Sequence, residues 1–184
     1  SVPLDPVIDM ATKANVPLMV IDRSLERKPP TGTYVLNITQ NYAISGMTMA
    51  YYALEHLKQK HGAYKGNIVE IQGELGSSPN TDMWVGIREV LKHYPDVKIL
   101  STEEGKWSND GGRRVMQGFL QRFSDDEMDV IFTYADAEGL GAIQAIKAAG
   151  RESLLDGRIA SKDGDVAFIQ YVLDGKAMMS TECP

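Results

Sequence analysis

Three aspartates stand where strands of this 184-residue chain should end. Asp22 follows the apolar run Leu18-Met19-Val20-Ile21, Asp136 follows Val130 to Tyr134, and Asp163 follows Arg158 to Ala160. Carboxylates gathered in this way could share acid–base work. They are equally what a cleft for hydroxyl groups needs, because an ionised carboxylate accepts short, charge-assisted hydrogen bonds. Arg23 adds a planar donor, Trp107 a flat apolar ring, and Glu182 a further acceptor beside the last apolar stretch. A sugar presents a rim of hydroxyls around patches of C–H. Carboxylates and arginine would grip the rim while an aromatic ring stacks on the C–H face. Asp136 reads equally as the cap of a helix beginning near Ala137, and Asp163 as a turn residue before Gly164.

Other chemistry finds less support. Gly73-Glu74-Leu75-Gly76-Ser77-Ser78 has the look of a phosphate-binding loop but lacks both the Gly-Lys-Ser/Thr ending and the Gly-x-Gly-x-x-Gly spacing. There is no Gly-x-Ser-x-Gly nucleophile elbow, and Cys183 has no evident base. His56, His61 and His93 fall at no metal-ligand spacing. The expectation is therefore a binding protein and not an enzyme, with neither metal nor cofactor.

Composition agrees. Apolar residues make up 43% of the chain and charged residues 24%, the balance of an ordinary globular protein. The net charge of −6 argues against a nucleic-acid partner, and Arg113-Arg114 is too short to make a basic patch. No apolar run approaches the roughly 18 residues that span a bilayer. A lone cysteine excludes an intrachain disulfide. The chain opens on Ser1-Val2-Pro3 without a start Met and stops just after an apolar stretch, which reads as a piece of a longer protein truncated at both ends.

The elements that must carry these residues alternate. Helical spacing over Val7 to Asn15 precedes a strand at Leu18 to Ile21, a loop from Asp22 to Gly32, and a strand from Tyr34 to Ile38. A helix from Tyr42 to Lys60 closes on Gly62. Strands then follow from Asn67, Val97, Val130, Arg158 and Ala177, with helices at Thr81 to His93, Gly112 to Phe123, Ala137 to Ala149 and Val166 to Leu173 between them. This beat predicts an α/β fold, a parallel sheet with helices on both faces. Ligands of such sheets bind outside the carboxyl ends of the strands, where the aspartates and Trp107 fall. Trp84, on the helix from Thr81, is expected in the core.

Four segments resemble one family. Val16-Pro17-Leu18-Met19-Val20-Ile21-Asp22-Arg23-Ser24 is similar to the Asp-Arg sugar clamp of the ribose- and galactofuranose-type periplasmic binding proteins of ABC importers. Gly66 to Gly73 resembles the first strand of that family's second lobe. Leu140 to Gly150 resembles its Leu-Gly-Ala helix, and Asp174-Gly175-Lys176 a turn before its last strand. The resemblance covers nearly all 184 residues. It implies the type I periplasmic-binding-protein fold, two lobes with a sugar held between them. Residues 1–39 would then be part of the first lobe, and residues 40–184 the second lobe with a hinge strand at its end. It further implies ligand roles for Asp22, Arg23, Trp107 and Asp163, with Glu182 near a polar hinge position. A membrane permease as partner and a periplasmic or lipoprotein location follow from the same resemblance. Two positions depart from the pattern, Met83 where Arg is usual and Ala135 where Asn is common. The same fold serves LacI-type regulators and membrane sensors, which stand as alternatives. With one lobe incomplete, self-association through the truncated lobe is expected.

Overall fold

The computed structural model describes residues 5–23, 30 and 35–182. Most of the loop expected from Asp22 to Gly32, the strand start at Tyr34, and Cys183 lie outside them. Among the described residues, seven strands fall into two parallel sheets. In the smaller, β1 (Leu18–Ile21) pairs with β2 (Val35–Ile38); α1 (Asp5–Ala14) precedes it, and Ile8 of that helix is buried as is Val20 of β1. The opposite face carries Met19 beside Leu36 and Ile21 beside Ile38, all exposed.

The larger sheet contains β3 (Gly66–Gln72), β4 (Val97–Glu104), β5 (Val130–Thr133), β6 (Ile159–Asp163) and β7 (Met179–Glu182), in the order β4-β3-β5-β6-β7. Side chains alternate across it with period two. Ile68, Val130 and Phe132 face α2 (Tyr42–His61) and α3 (Ser78–Leu91). Val69, Ile71 and Ile131 face α4 (Asn109–Arg122), α5 (Asp136–Ala148) and α6 (Val166–Leu173). β5 is buried along its whole length, which is why Val130-Ile131-Phe132-Thr133 reads as an unbroken apolar run rather than an alternating one.

Helix ends follow local chemistry. The Asn41 side chain accepts the Ile44 N–H at the start of α2, and Gly62, in the left-handed region, closes it. Two helices begin earlier than the sequence pattern suggests. α3 starts at Ser78 because Pro79 suits a first helical turn, where no N–H partner is needed. α4 starts at Asn109 because the Ser108 side chain accepts the Gly111 N–H.

One buried charge spans the sheet and α3. Arg88 grips Glu70 through two parallel bonds of 2.5 and 2.6 Å, and Thr102 Oγ1 donates to the same carboxylate at 2.7 Å. The Arg88 guanidinium also lies 4.9 Å from the Trp84 ring centre. Trp84 is 42% exposed, so the expectation that it sits in the core is corrected. Met83, its neighbour, takes the core position and is fully buried.

Candidate functional site

The order of the larger sheet reverses at β3: the chain passes from β3 to β4 on one side and then returns to β5 on the other. A crevice forms at the carboxyl ends of such strands. It is a cavity of about 220 Å³. Each wall comes from a different strand end: Asp22 and Arg23 follow β1, Pro79 lies beyond β3, and Trp107 follows β4. Ala135 and Ala137 follow β5, and Lys162 and Asp163 close β6.

The first wall is tied to the larger sheet by Tyr42, the first residue of α2. Its hydroxyl donates to Asp22 Oδ1 in a short bond, and Arg23 Nε meets Asp22 Oδ2 at 3.2 Å. Arg23 Nη1 is sealed from solvent without a hydrogen-bond partner among the described residues. Lys162, buried at the opposite wall, donates from Nζ to Asp163 Oδ1 and lies 5.1 Å from the centre of the Tyr42 ring.

Trp107 is half-buried, its ring edge resting on Gly73. A methyl group at residue 73 would lie 2.1 Å from the indole, so only glycine leaves room for it. The Trp107 backbone N–H donates to Glu138 Oε1 at 2.9 Å, while the indole N–H is buried without a hydrogen-bond partner among the described residues. Five non-glycine residues among those described have positive φ, and four of them border this cavity or its loops: Asp22 (72°), Lys106 (59°), Trp107 (58°) and Asp163 (131°). Such backbone costs on the order of 1–3 kcal/mol per residue and gathers at ligand-binding sites.

The structure brings together Asp22, Arg23, Trp107 and Asp163 but not all six residues singled out from sequence. Asp136 is buried and committed internally. Its carboxylate accepts the Ser180 hydroxyl at 2.8 and 2.9 Å and the Asp165 N–H at 2.7 Å, and burial raises its carboxyl above the usual range. It occupies the first position of α5, with Ala135 at the cap position, so it does not cap the helix. Glu182 is exposed at the end of β7, beside Asp163, and its carbonyl accepts from Gln40 Nε2 at 3.0 Å. That bond links β7 to the segment joining the two sheets.

Tyr42 and Glu138 escaped the sequence reading, and Lys162, though at a strand end, was given no role in it. Lys162 sits beside Asp163 at a strand end, which was the available signal. Tyr42 and Glu138 look like ordinary helix residues, and only tertiary contacts distinguish them. Among the described residues, no group of His, Cys, Asp and Glu could hold a metal ion, and no helix is long and apolar enough to cross a membrane.

A parallel sheet doubly covered by helices, a second parallel unit beside it, and a polar cavity at the strand ends define an α/β protein with a candidate ligand cavity. The family description "Periplasmic binding protein domain" matches residues 3–181, and the chain belongs to that family. It is 28% identical to the galactofuranose-binding protein of Escherichia coli over 179 residues, covering 97% of this chain and 55% of that protein. It is 31% identical to the xylitol-binding protein of Mycolicibacterium smegmatis, covering 88% of this chain and 46% of that one. Among solved structures it resembles the periplasmic binding component of the arabinose ABC transporter of Shewanella sp. ANA-3, bound to arabinofuranose. The TM-score is 0.85 at 26% identity, over 98% of this chain and 58% of the other. The chain thus spans about half the length of the curated relatives it matches. Its fold is that of the type I periplasmic binding proteins, one nearly complete lobe with part of the other.

Proposed function

We propose that this chain forms part of the solute-binding component of a sugar ABC importer, which holds a monosaccharide in the cavity between its two sheets. The observation that carries this reading is the convergence of Asp22, Arg23, Trp107, Lys162 and Asp163 on one small space. Carboxylates and cations line it beside an indole, and the backbone is strained at three of those residues. The cavity is smaller than the roughly 300–1,000 Å³ pockets of drug-sized ligands, which favours one sugar ring over an oligosaccharide. The names of the relatives, all binding proteins, favour the receptor over a regulator or an enzyme.

In this reading residues 1–39 belong to the first lobe and residues 40–184 to the second, with Gln40 and Glu182 at the crossing between them. Ligand contacts to both sides drive closure by hinge motion, and the closed form docks on the membrane permease outside the cytoplasm. Asp22 and Arg23 bind hydroxyls from the first lobe, Asp163 and Lys162 from the second, and Trp107 stacks on the ring. Asp136 contributes by holding the Asp163 loop against Ser180.

Calorimetry on the protein at its full natural length tests this, with D-ribose, D-fructose, L-arabinose, D-galactose and xylitol as the panel. At least one should bind with micromolar or tighter affinity, while the 184-residue chain alone binds far more weakly. A full-length protein that binds none of them contradicts the reading.

A further inference from the structure

Glu138 is a carboxylate with no exposure, the third residue of α5, buried behind the cavity rather than in its wall. Burial of such a group is unfavourable unless it serves a partner that an apolar side chain cannot. Its Oε1 accepts the backbone N–H of Trp107, and the Tyr134 and Ala135 backbone also bonds to the carboxylate. Lys106 and Trp107 are consecutive non-glycine residues in the left-handed region, a conformation that does not persist unless the surroundings hold it. Gly105 packs directly against Glu138: a methyl group there would lie 2.6 Å from Oε1. The indole meanwhile rests on Gly73, fixed from its other end.

We propose that Glu138 is the positioning residue that sets the Trp107 ring in the pose that stacks on a sugar. The Oε1 bond fixes the backbone from which the ring projects, and Gly73 fixes the plane in which it lies. The first turn of α5 thereby governs two walls at once, since Asp136, two residues earlier, holds Asp165 and Ser180 behind the Asp163 loop. This inference rests on the sugar-binding reading above.

The test is a double-mutant cycle on the protein at its full natural length, with the tightest-binding sugar of the five-ligand panel as probe. Glu138→Gln retains an acceptor for the Trp107 N–H and should bind within about threefold of the parent. Glu138→Met keeps the volume, loses the acceptor, and should weaken binding about tenfold. In a Trp107→Ala background the same Met substitution should change affinity by less than about twofold. Gly105→Ala, which crowds Oε1 without removing it, should behave as Met does and serves if the Met variant does not fold. Equal losses with and without Trp107, or no loss from either variant, overturn the proposal. Trp107 emission, read in the 184-residue chain with Trp84→Phe and without sugar, should shift in the Met variant and not in the Gln variant. If no sugar of the panel binds, the sugar-binding reading falls and this emission comparison alone decides the positioning role.

Discussion

Glu138 also makes stability depend on pH in a way the structure sizes. Burial pushes its carboxyl from the ordinary 4.5 up to about 8, against the pull of backbone hydrogen bonds from Trp107, Tyr134 and Ala135, and the neighbouring Asp163 charge adds to the rise. The folded protein therefore keeps a proton that the unfolded chain gives up. Where the folded state binds more protons than the unfolded state, stability falls as pH rises. The fall begins near the unfolded value and levels off above the folded one, so it occupies the window from about 4.5 to about 8. A displacement of that size corresponds to on the order of 3–5 kcal/mol. Glu138→Gln has no proton to lose. Denaturant unfolding of both proteins from about pH 5 to about pH 9 isolates the effect, because Asp136 is common to both and largely cancels. The parent should lose on the order of 3–5 kcal/mol relative to the Gln variant across that range. A difference that stays flat with pH would refute the buried, neutral Glu138.

Trp107→Ala should weaken sugar binding by on the order of 1–3 kcal/mol, about ten- to a hundredfold, by calorimetry. Because the ring also packs partly on the core, a modest loss of Tm accompanies it; Trp84→Ala should leave affinity unchanged and cost at most about 1 kcal/mol of stability, the value of its stack with Arg88. Arg88→Ala strands the buried Glu70 carboxylate and should cost about 3–5 kcal/mol in denaturant unfolding; a loss below about 1 kcal/mol would contradict the buried pair. The isolated chain should self-associate through Met19, Ile21, Leu36 and Ile38, and sedimentation showing a monomer at every concentration would count against that.

The α/β beat was legible because parallel strands buried on both faces leave apolar runs between helical stretches, as Val130 to Thr133 shows. The strand-end rule then located Asp22, Arg23, Trp107 and Asp163 without any coordinates. Helix starts were harder, since Pro79 and Ser108 signal a turn and a helix start alike. Trp84 misled because a large ring on a helix suggests burial, whereas Arg88 one turn along covers it at the surface. Asp136 and Glu138 could not be resolved from sequence for a different reason. Whether a carboxylate faces a ligand or a backbone N–H depends on Asp165, Ser180 and Trp107, which lie 29, 44 and 31 residues away. Nothing local encodes that choice.

In the proposed receptor the cavity between the two sheets receives a sugar. A crystal structure of the protein at its full natural length with its tightest-binding sugar tests it most directly. The sugar ring should lie against the Trp107 indole at about 4 Å, with hydroxyls within hydrogen-bond reach of Arg23 and Asp163. A sugar bound elsewhere, with this cavity occupied only by water, would contradict the account.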